Sequence, residues 1–432
     1  MPAVRRRLDN TISFLALHPG QRLIYKGLGR RDLIRAGRRY GKTSLLETAA
    51  SKWAAKGLRV GWFSPSYKLL SPSYKRILRT IRPMVEHSNK TDGLIELEGG
   101  GQVEFWTLTD EDAGRSRWYD KVIIDEASLV KRGLKMIWEA SIAPTLLDRG
   151  GDCVMAGTPK GIDPENFFYE ASEDARTKGP LGFAEWYAPT ADNPTLDKAE
   201  VALLKSKYPP LVYKQEFLAE FVNWSGDAFF LEASLLGPDG RGVAVPAKVD
   251  AIYAIIDSAT KTGKEHDGTA VLYCALNVFE NRLTILDWDI VQIEGDLLVN
   301  WLPGVFAHCE ALAKRCNARR GSLGAFIEDK ASGMILIQAA QRRGWPARAI
   351  DSNLTAVGKD ERAISVSGYV FQGQVKMTAE AHEKVTTYKG QTKNHFLSQV
   401  TGFRIGLKDQ QDDLLDTMTY AAAIGLGNSQ GF

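Results

Sequence analysis

The stretch AGRRYGKTS, residues 36–44, gives the first indication of the fold. It follows the apolar run DLIRA and precedes TSLLETAASKWAAK, whose apolar pattern is helical. Backbone N–H groups that converge at a helix N-terminus bind phosphate, and a phosphate-binding loop requires this strand–loop–helix order. Gly41, Lys42 and Thr43 supply the turn, a cation for phosphate oxygens and a hydroxyl for Mg²⁺. The stretch therefore predicts a nucleotide site.

One position departs from the usual loop pattern. Ala36 stands where the first glycine of G-x-x-x-x-G-K-[ST] belongs, and we expect Gly37 beside it to provide the freedom that the loop needs. The segment VIIDEAS, residues 122–128, supports the assignment, because an apolar strand that ends in two acids suits the metal side of such a site. We predict that Asp125 holds Mg²⁺ and that Glu126 polarises the attacking water. The alternative is a surface acidic pair after a core strand.

Other residues near the loop are assigned from their positions. Gln21 is predicted to read the adenine edge, and Thr158, at the end of the strand in CVMAGTP, to lie beside the γ-phosphate and respond to hydrolysis. A surface glutamine and an ordinary loop are the alternatives. Arg38 and Arg115 are candidates for stabilising the transferring phosphoryl group, and a solvated or DNA-facing role is the alternative for both. The predicted nucleotide-binding set is Gln21, Gly37, Arg39, Gly41, Lys42, Thr43, Ser44, Asp125 and Thr158.

Carboxylates in the second half of the chain predict another site. Asp257 ends the run AIYAIID, Glu328 ends GAFIE, and Asp412, Asp413 and Asp416 open an apolar helix. Cutting a phosphodiester with two metal ions requires several carboxylates from separate elements. Oxygen donors without His or Cys favour Mg²⁺ or Mn²⁺ over zinc. We therefore predict a two-metal nuclease site, the alternative being acids that only stabilise a helix N-terminus.

Four further acids are less strongly indicated. Asp267 and Asp329 are weaker candidates for the same metal site. Asp287 and Asp289 alternate with apolar residues in RLTILDWDIV and are expected to face solvent.

The order of the predicted elements gives the fold class, which is α/β. Alternating strands and helices in the first half, including a helix over SYKRILRTIRPMVEH, predict a mainly parallel sheet of the ASCE-type P-loop NTPase class. Three successive strands, a long helix and a fourth strand in the second half resemble the ribonuclease H/resolvase fold. We predict a motor ATPase domain at residues 1–225, a linker at 226–247 and a nuclease domain at 248–432.

Composition excludes several classes of protein. The chain of 432 residues is 44% hydrophobic and 25% charged, and no apolar run approaches the roughly 20 residues of a membrane span. No apolar stretch typical of a signal peptide follows the N-terminal arginines, which argues against export. Four cysteines without metal-ligand spacing predict reduced thiols. Residues 1–43 carry eleven Lys and Arg against two Asp, which suits a phosphate-rich partner or a solvated basic face.

Together these motifs resemble those of the large terminase subunit of tailed double-stranded DNA bacteriophages. The similarity rests on GRRYGKTS, VIIDEAS, AGTPKG, the AP…DNP stretch at 188–194, YKQEFLAEF at 213–221, EDKASG at 328–333 and DDLLD at 412–416. By this resemblance ATP hydrolysis depends on Lys42, Thr43, Asp125 and Glu126, with Arg38 in the loop and Arg115 acting across subunits. The nuclease metals would be bound by Asp257, Glu328 and Asp413, although DDLLD leaves open which of its three acids contacts a metal.

The resemblance also implies a function and partners. Such a protein hydrolyses ATP to move double-stranded DNA into a procapsid and cleaves concatemeric DNA, with Mg²⁺ at the ATPase site and Mg²⁺ or Mn²⁺ at the nuclease site. Its partners would be DNA, the portal protein, a small terminase subunit and further copies of itself in a pentamer on the portal, in the host cytoplasm and without a membrane. DNA contacts would be mainly to phosphates and would weaken with salt.

Two other classes of protein remain open. A helicase-like repair or mobile-element ATPase with an attached nuclease would need a second motor domain, for which the chain has no room between Phe221 and the nuclease strands. A nucleotide-switched DNA-binding or assembly protein would carry the late acids only as structural residues.

Overall fold

The computed structural model describes residues 12–224, 228–258, 268–293, 297–329, 332–407 and 410–427. The chain divides into two compact units. The first contains residues up to 205 together with 210–223, and the second contains 206–209 together with the chain from 224 onward. Among the described residues, no helix combines the length and the apolarity that a membrane span requires.

The first unit is an α/β unit built on an eight-stranded sheet. Its strands are β1 (Arg31–Ala36), β2 (Arg59–Ser64), β3 (Val85–Asn89), β4 (Leu94–Leu97), β5 (Gln102–Thr107), β6 (Lys121–Ile124), β7 (Asp152–Gly157) and β8 (Ala184–Ala188). Its helices are α1 (Pro19–Gly27), α2 (Lys42–Ala54), α3 (Tyr67–Ile81), α4 (Leu134–Ile137), α5 (Phe167–Thr177), α6 (Lys198–Lys207), whose last two residues fall in the second unit, and α7 (Pro210–Glu216).

The strand order of this sheet is β3-β4-β5-β2-β6-β7-β1-β8. The six strands β5, β2, β6, β7, β1 and β8 pair in parallel, in that order across the sheet. Strands β3 and β4 add an antiparallel edge beside β5. One strand, β7, lies between β1, which leads into the phosphate loop, and β6, which leads into the acid pair. Successive residues Leu33 and Ile34 enter separate apolar cores on the two faces, which explains why the strands read as continuous apolar runs.

The helix predicted over SYKRILRTIRPMVEH is wrong in its second part. Helix α3 starts earlier, at Tyr67, and ends at Ile81. A single 3₁₀ turn, Arg82–Met84, follows and contains Pro83. Val85 then begins β3, which the sequence pattern did not indicate.

The second unit contains a six-stranded sheet with helices on both faces. Its strands are β9 (Ala251–Asp257), β10 (Thr269–Asn277), β11 (Arg282–Val291), β12 (Ser322–Ile327), β13 (Ala347–Ala349) and β14 (Val375–Met377), and a separate hairpin is formed by β15 (Thr386–Tyr388) and β16 (Gln391–Lys393). Its helices are α8 (Glu232–Leu235), α9 (Leu298–Arg315), α10 (Ser332–Arg343), α11 (Ser352–Thr355), α12 (Lys359–Phe371), α13 (Ala379–Glu383), α14 (His395–Gly402) and α15 (Asp413–Gly425).

The strand order of this second sheet is β13-β12-β9-β10-β11-β14. Strands β9, β10 and β11 form an antiparallel meander, and β12 returns parallel to β9 after α9. This is the topology expected of a ribonuclease H-like domain, and the predicted fold class is confirmed for both halves. Helix α15 packs on β9 and β10 and is buried from Asp413 to Ile424, where three consecutive alanines at 421–423 allow close approach.

All four cysteines are free thiols in buried positions. Burial raises the pKa values of Cys153, Cys274, Cys309 and Cys316 above the ordinary range of a thiol.

The segment predicted as a linker packs against the second unit where it is described. Phe230 and Leu235 are buried in the core that also contains β9 and α15. The backbone N–H of Val243 donates to Met377, and the carbonyl of Val243 accepts from Ala379. The predicted boundaries at 226 and 247 stay a prediction, but these contacts tie residues 230–243 to the second unit.

We expect Leu235→Ala to lower the free energy of unfolding by about 2–4 kcal/mol, because it leaves a cavity in a closed core. Leu231→Ala is the matched control: Leu231 lies four residues earlier, is 58% exposed, and should change stability by less than about 1 kcal/mol. Urea unfolding followed by circular dichroism measures both values. Equal stabilities for the two variants would mean that this segment behaves as a linker.

Candidate active sites

The phosphate loop leaves β1 and enters α2 at Lys42. Gly41 has a φ of +101°, and a Cβ there would lie 2.6 Å from Gln21 Nε2, so the position requires glycine. Gly37 lacks a left-handed φ, but a Cβ on it would lie 2.6 Å from the Phe217 carbonyl. Gly37 therefore provides space and not the conformational freedom that we expected. Ala36 ends β1 as a buried residue, and its own Cβ is accommodated there.

Residues after β8 hold the outer part of the loop. Thr190 Oγ1 donates to the Arg38 carbonyl at 2.7 Å, and Asn193 Nδ2 donates to the Arg39 carbonyl at 2.7 Å. Arg39 itself has a φ of +64°, which is unusual for a residue with a side chain. Thr190 and Asn193 belong to the AP…DNP stretch and were not among the predicted site residues. The two bonds fix two carbonyls of the loop.

The structure brings five predicted residues together at the carboxyl ends of β1, β6 and β7. Lys42 is buried, and its Nζ donates to Thr158 Oγ1 at 2.8 Å and lies 3.8 Å from Glu126 Oε1. Thr43 Oγ1 donates to Asp125 Oδ2 at 3.3 Å. Glu126 adopts a left-handed φ of +53° directly after the strand, a strained conformation that turns the chain at the site. The surface alternative for the acid pair does not hold for Asp125, which is buried.

Asp125 is the residue whose surroundings suit a divalent cation. Burial raises its pKa, the neighbouring Glu126 carboxylate raises it further, and Lys42 opposes the rise. Its Oδ1 is buried and has no hydrogen-bond partner among the described residues. A buried carboxylate oxygen without a partner is costly. Mg²⁺ bound beside the Thr43 hydroxyl would compensate that oxygen, so the residues present fit the metal.

Gln21 is buried against the phosphate loop. Its Nε2 donates to the Gly41 carbonyl at 2.9 Å and lies 3.1 Å from Ser44 Oγ, and its Oε1 accepts from the His18 N–H at 3.0 Å. The surface alternative for Gln21 is therefore excluded. In this arrangement the amide supports Gly41 and Ser44, and adenine recognition by Gln21 stays a prediction.

The two candidate arginines lie in different environments. The Arg38 guanidinium pairs with Glu216 at the end of α7, while its side chain stays 43% exposed. Lys160 Nζ lies 3.2 Å from the other oxygen of Glu216. Burial alone would raise the pKa of Glu216, but Lys160 and Arg38 outweigh it and hold the pKa at about 2. Arg115 is 61% exposed and pairs with Asp112 at 2.5 Å. Glu216 and Lys160 were not among the predicted site residues.

The second candidate site lies where β9, β12 and α15 meet. Burial raises the pKa of Asp257 well above its ordinary range, and repulsion by Asp416, Glu328 and Asp413 raises it further. The charges of these three acids thus act on Asp257, and their joint role in metal binding stays a prediction. Asp413 and Asp416 are buried in the first turn of α15, whereas Asp412 is the N-cap residue and makes no side-chain capping bond. Asp412 and Asp416 do more than stabilise a helix end, because each pairs with a cation from α12.

Helix α12 supplies positive charge that the sequence analysis missed. Lys359 Nζ pairs with Asp412, and Arg362 Nη2 pairs with Asp416. The Arg362 guanidinium also lies over the Tyr420 ring at 4.0 Å, and the Tyr420 hydroxyl donates to Glu328 Oε1 at 2.8 Å. The only signal in the sequence is the spacing of three in KDER, which places both cations on one helix face.

The kinds of donor atom at this second site suit metal ions, but the described side chains are not arranged as a coordination shell. Across the described residues, no group of three or more His, Cys, Asp or Glu side chains is arranged to hold one ion. The all-oxygen donor set nevertheless suits Mg²⁺ or Mn²⁺. Three acids act on the partly buried Asp257, and the repulsion that raises its pKa is the kind that a divalent cation relieves. The donor chemistry of these acids therefore fits Mg²⁺ or Mn²⁺.

The remaining predicted acids have separate outcomes. Asp267 lies outside the described residues. Asp329 directly follows Glu328 and is partly exposed. Asp287 does not simply face solvent as expected, since its carboxylate is half-buried and pairs with His308 at 2.9 Å and with Lys384 at 2.8 Å.

Comparison with known proteins supports the predicted resemblance. No protein-family model matches the chain. The chain is 24% identical over 196 residues to the terminase large subunit of Escherichia phage T5, which covers 44% of each chain. It is 25% identical over 284 residues to the terminase large subunit of Thermus phage G20c, which covers 55% of this chain and 56% of that one. The chain thus spans about half the length of the curated relatives that it matches.

A solved structure shares the fold of nearly the whole chain. The large terminase of a thermophilic bacteriophage superposes with a TM-score of 0.65 over 95% of this chain and 99% of that chain, at 13% identity. Another crystal structure of that same phage protein is a complex with ATP-γ-S. The predicted resemblance to large terminase subunits is thus confirmed, with relatives of that name in sequence and with the same fold.

We expect Glu216→Gln to lower the free energy of unfolding at pH 7 by roughly 3 kcal/mol, because the pKa of Glu216 falls from 4.5 to about 2 on folding. Since the folded pKa is the lower one, this stability is present above about pH 4.5 and is lost as pH falls towards 2. The difference between wild type and Glu216→Gln should therefore shrink between pH 5 and pH 2.

Denaturant unfolding at a series of pH values measures this difference. Glu98→Gln, at an exposed glutamate of the same unit, is the control and should show no such trend. A difference that does not change with pH would contradict the charge-based explanation.

Proposed function

We propose that this chain acts as a large terminase subunit, which hydrolyses ATP to move double-stranded DNA into a procapsid and cleaves concatemeric DNA. The observation that supports it most is the presence of two separate acid sites. One surrounds the phosphate loop of the first unit, and the other lies at β9, β12 and α15 of the second. The activity, substrates and partners are proposals, since the curated relatives are matched over about half of their length.

In the first unit, the buried Lys42 would neutralise phosphate oxygens of ATP, and the loop N–H groups would bind them. Mg²⁺, held by Thr43 and Asp125, would supply charge neutralisation at the phosphates. Glu126 lies 3.8 Å from Lys42 Nζ, on the same side of the sheet, and would orient the water that attacks the terminal phosphate. Thr158 contacts Lys42 and the Ala36 carbonyl, so a change at the phosphates would reach β7 through its hydroxyl.

In the second unit, Asp257, Glu328 and Asp413 would hold Mg²⁺ or Mn²⁺ ions, whose role is to activate water and to stabilise the leaving oxygen. The negative charges around Asp257 repel one another, and a bound cation would relieve this repulsion. Asp416 and Asp412 lie at the start of the same helix as Asp413, each paired with a cation from α12, and are further candidate ligands of these ions.

The wider assignments follow from the same proposal. We assign the motor to a domain at 1–225 and the nuclease to a domain at 248–432, and Arg38 and Arg115 to stabilisation of phosphoryl charge, Arg115 from a neighbouring copy. The exposed side chain of Arg115 supports a contact with a neighbouring copy. The proposed partners are double-stranded DNA, the portal protein, a small terminase subunit and further copies in a pentamer, in the host cytoplasm.

We expect Glu126→Ala to lower kcat for ATP hydrolysis at least about 100-fold, because it removes the group that orients water. The Kd for ATP should change by less than about threefold, because Lys42 and the loop N–H groups remain. A phosphate-release assay and a fluorescent-nucleotide titration measure the two quantities. Glu139→Ala, at an exposed acid of the same unit, is the control. Loss of nucleotide binding in Glu126→Ala would refute its assigned role.

We expect the full chain to cleave plasmid DNA in Mn²⁺ and Asp257→Asn to lose at least about 100-fold of that rate, because a metal ligand is removed. Gel analysis of plasmid conversion over time gives the rate. Asp289→Asn is the matched control, since Asp289 is an acid of β11, which β10 separates from β9. Cleavage by Asp257→Asn at the wild-type rate would argue for a DNA-binding protein whose late acids are structural.

A further inference from the structure

Two buried side chains, Arg362 and Tyr420, contact the nuclease acids, and the proposed function gives them no role in cleavage. Arg362 on α12 is buried, and its guanidinium makes four separate contacts. Its Nε donates to Thr419 Oγ1 at 3.0 Å and its Nη1 to the Val357 carbonyl at 3.0 Å. Its Nη2 pairs with Asp416, and its plane lies over the Tyr420 ring. The planar fork of arginine is thus fixed on every side.

Tyr420 extends this group to a different element. It is fully buried on α15, and its hydroxyl donates to Glu328 Oε1 at 2.8 Å, at the end of β12. A hydrogen bond from a phenol to a carboxylate fixes which oxygen of that carboxylate faces away from the phenol. One arginine therefore contacts Asp416 directly and reaches Glu328 through Tyr420.

We propose that Arg362 and Tyr420 are positioning residues for the nuclease, which hold Asp416 and Glu328 in the orientation that metal binding requires. The inference rests on the proposed nuclease function and adds residues that act through the acids without contacting DNA. Partners that orient metal-binding side chains change metal affinity or activity about 10–100-fold when they are removed. The fixed geometry of Arg362 makes lysine a poor substitute, because an ammonium lacks the fork and the stacking plane.

The chain contains a matched pair of tyrosines for the test. Tyr253 is as deeply buried as Tyr420. Its hydroxyl donates to the backbone carbonyl of Ala421 on α15, also at 2.8 Å. Each of the two substitutions to phenylalanine therefore removes a buried hydroxyl and the hydrogen bond that it donates. Tyr253 donates its bond to α15, and Tyr420 donates its bond from α15. The bond of Tyr420 goes to an acid of the site, whereas that of Tyr253 goes to a backbone carbonyl.

The experiment is an isothermal titration of the full-length protein with Mn²⁺. The part of the isotherm that disappears in Asp257→Asn defines binding at the nuclease site. We expect Tyr420→Phe to weaken that binding at least about tenfold and Arg362→Lys to weaken it in the same direction. Tyr253→Phe should bind within about twofold of wild type. Thermal unfolding checks that both phenylalanine variants remain folded at the temperature of the titration, since each loses one buried hydrogen bond.

The outcomes separate this inference from the proposed function. If wild type binds Mn²⁺ and Tyr420→Phe binds it equally well, the inference is overturned and the nuclease proposal stands. If both phenylalanine variants weaken binding alike, the effect is a general loss of packing and the inference is again overturned. If wild type shows no component that Asp257→Asn removes, the nuclease proposal itself fails. Should Arg362→Lys not fold, the comparison of the two tyrosines still decides.

Discussion

Both candidate sites depend on keeping negative charge inside the protein. Of the lysines and arginines in the described residues, only Lys42 and Arg362 are buried, and each lies beside buried acids of one site. A buried charge is costly unless an opposite charge and hydrogen bonds compensate it. Lys42 opposes the rise in the pKa of Asp125, and Arg362 does the same for Asp257 and Asp416. The rest of each site is arranged around this compensation.

The first site was largely readable from the sequence because its residues are close together in two short segments. Lys42 and Thr43 open the helix that follows β1, and Asp125 and Glu126 directly follow β6. A parallel sheet brings the residues that follow such strands together. The supports of the loop were not readable. Thr190, Asn193 and Glu216 act on Arg38 and Arg39 from more than 150 positions away, and no local pattern links a polar side chain to a distant backbone carbonyl.

The second site shows the same division. The acids could be predicted because each ends or begins a long apolar element, as Asp257 and Glu328 do after β9 and β12. Arg362 and Tyr420 could not, because a basic residue on a helix is most often solvated and a tyrosine in an apolar helix most often packs in a core. The edge strand β3 was missed for a related reason, since its exposed polar residues lack the alternation of a half-buried strand.

The buried thiols have a practical consequence for studying motion in this protein. Modifying reagents react with the thiolate, and burial together with raised pKa values keeps Cys153, Cys274, Cys309 and Cys316 almost entirely in the thiol form. A cysteine introduced at an exposed position, such as Arg115 or Leu231, would react far faster than the native four. Maleimide dyes could then report distances in single molecules without first replacing the natural cysteines.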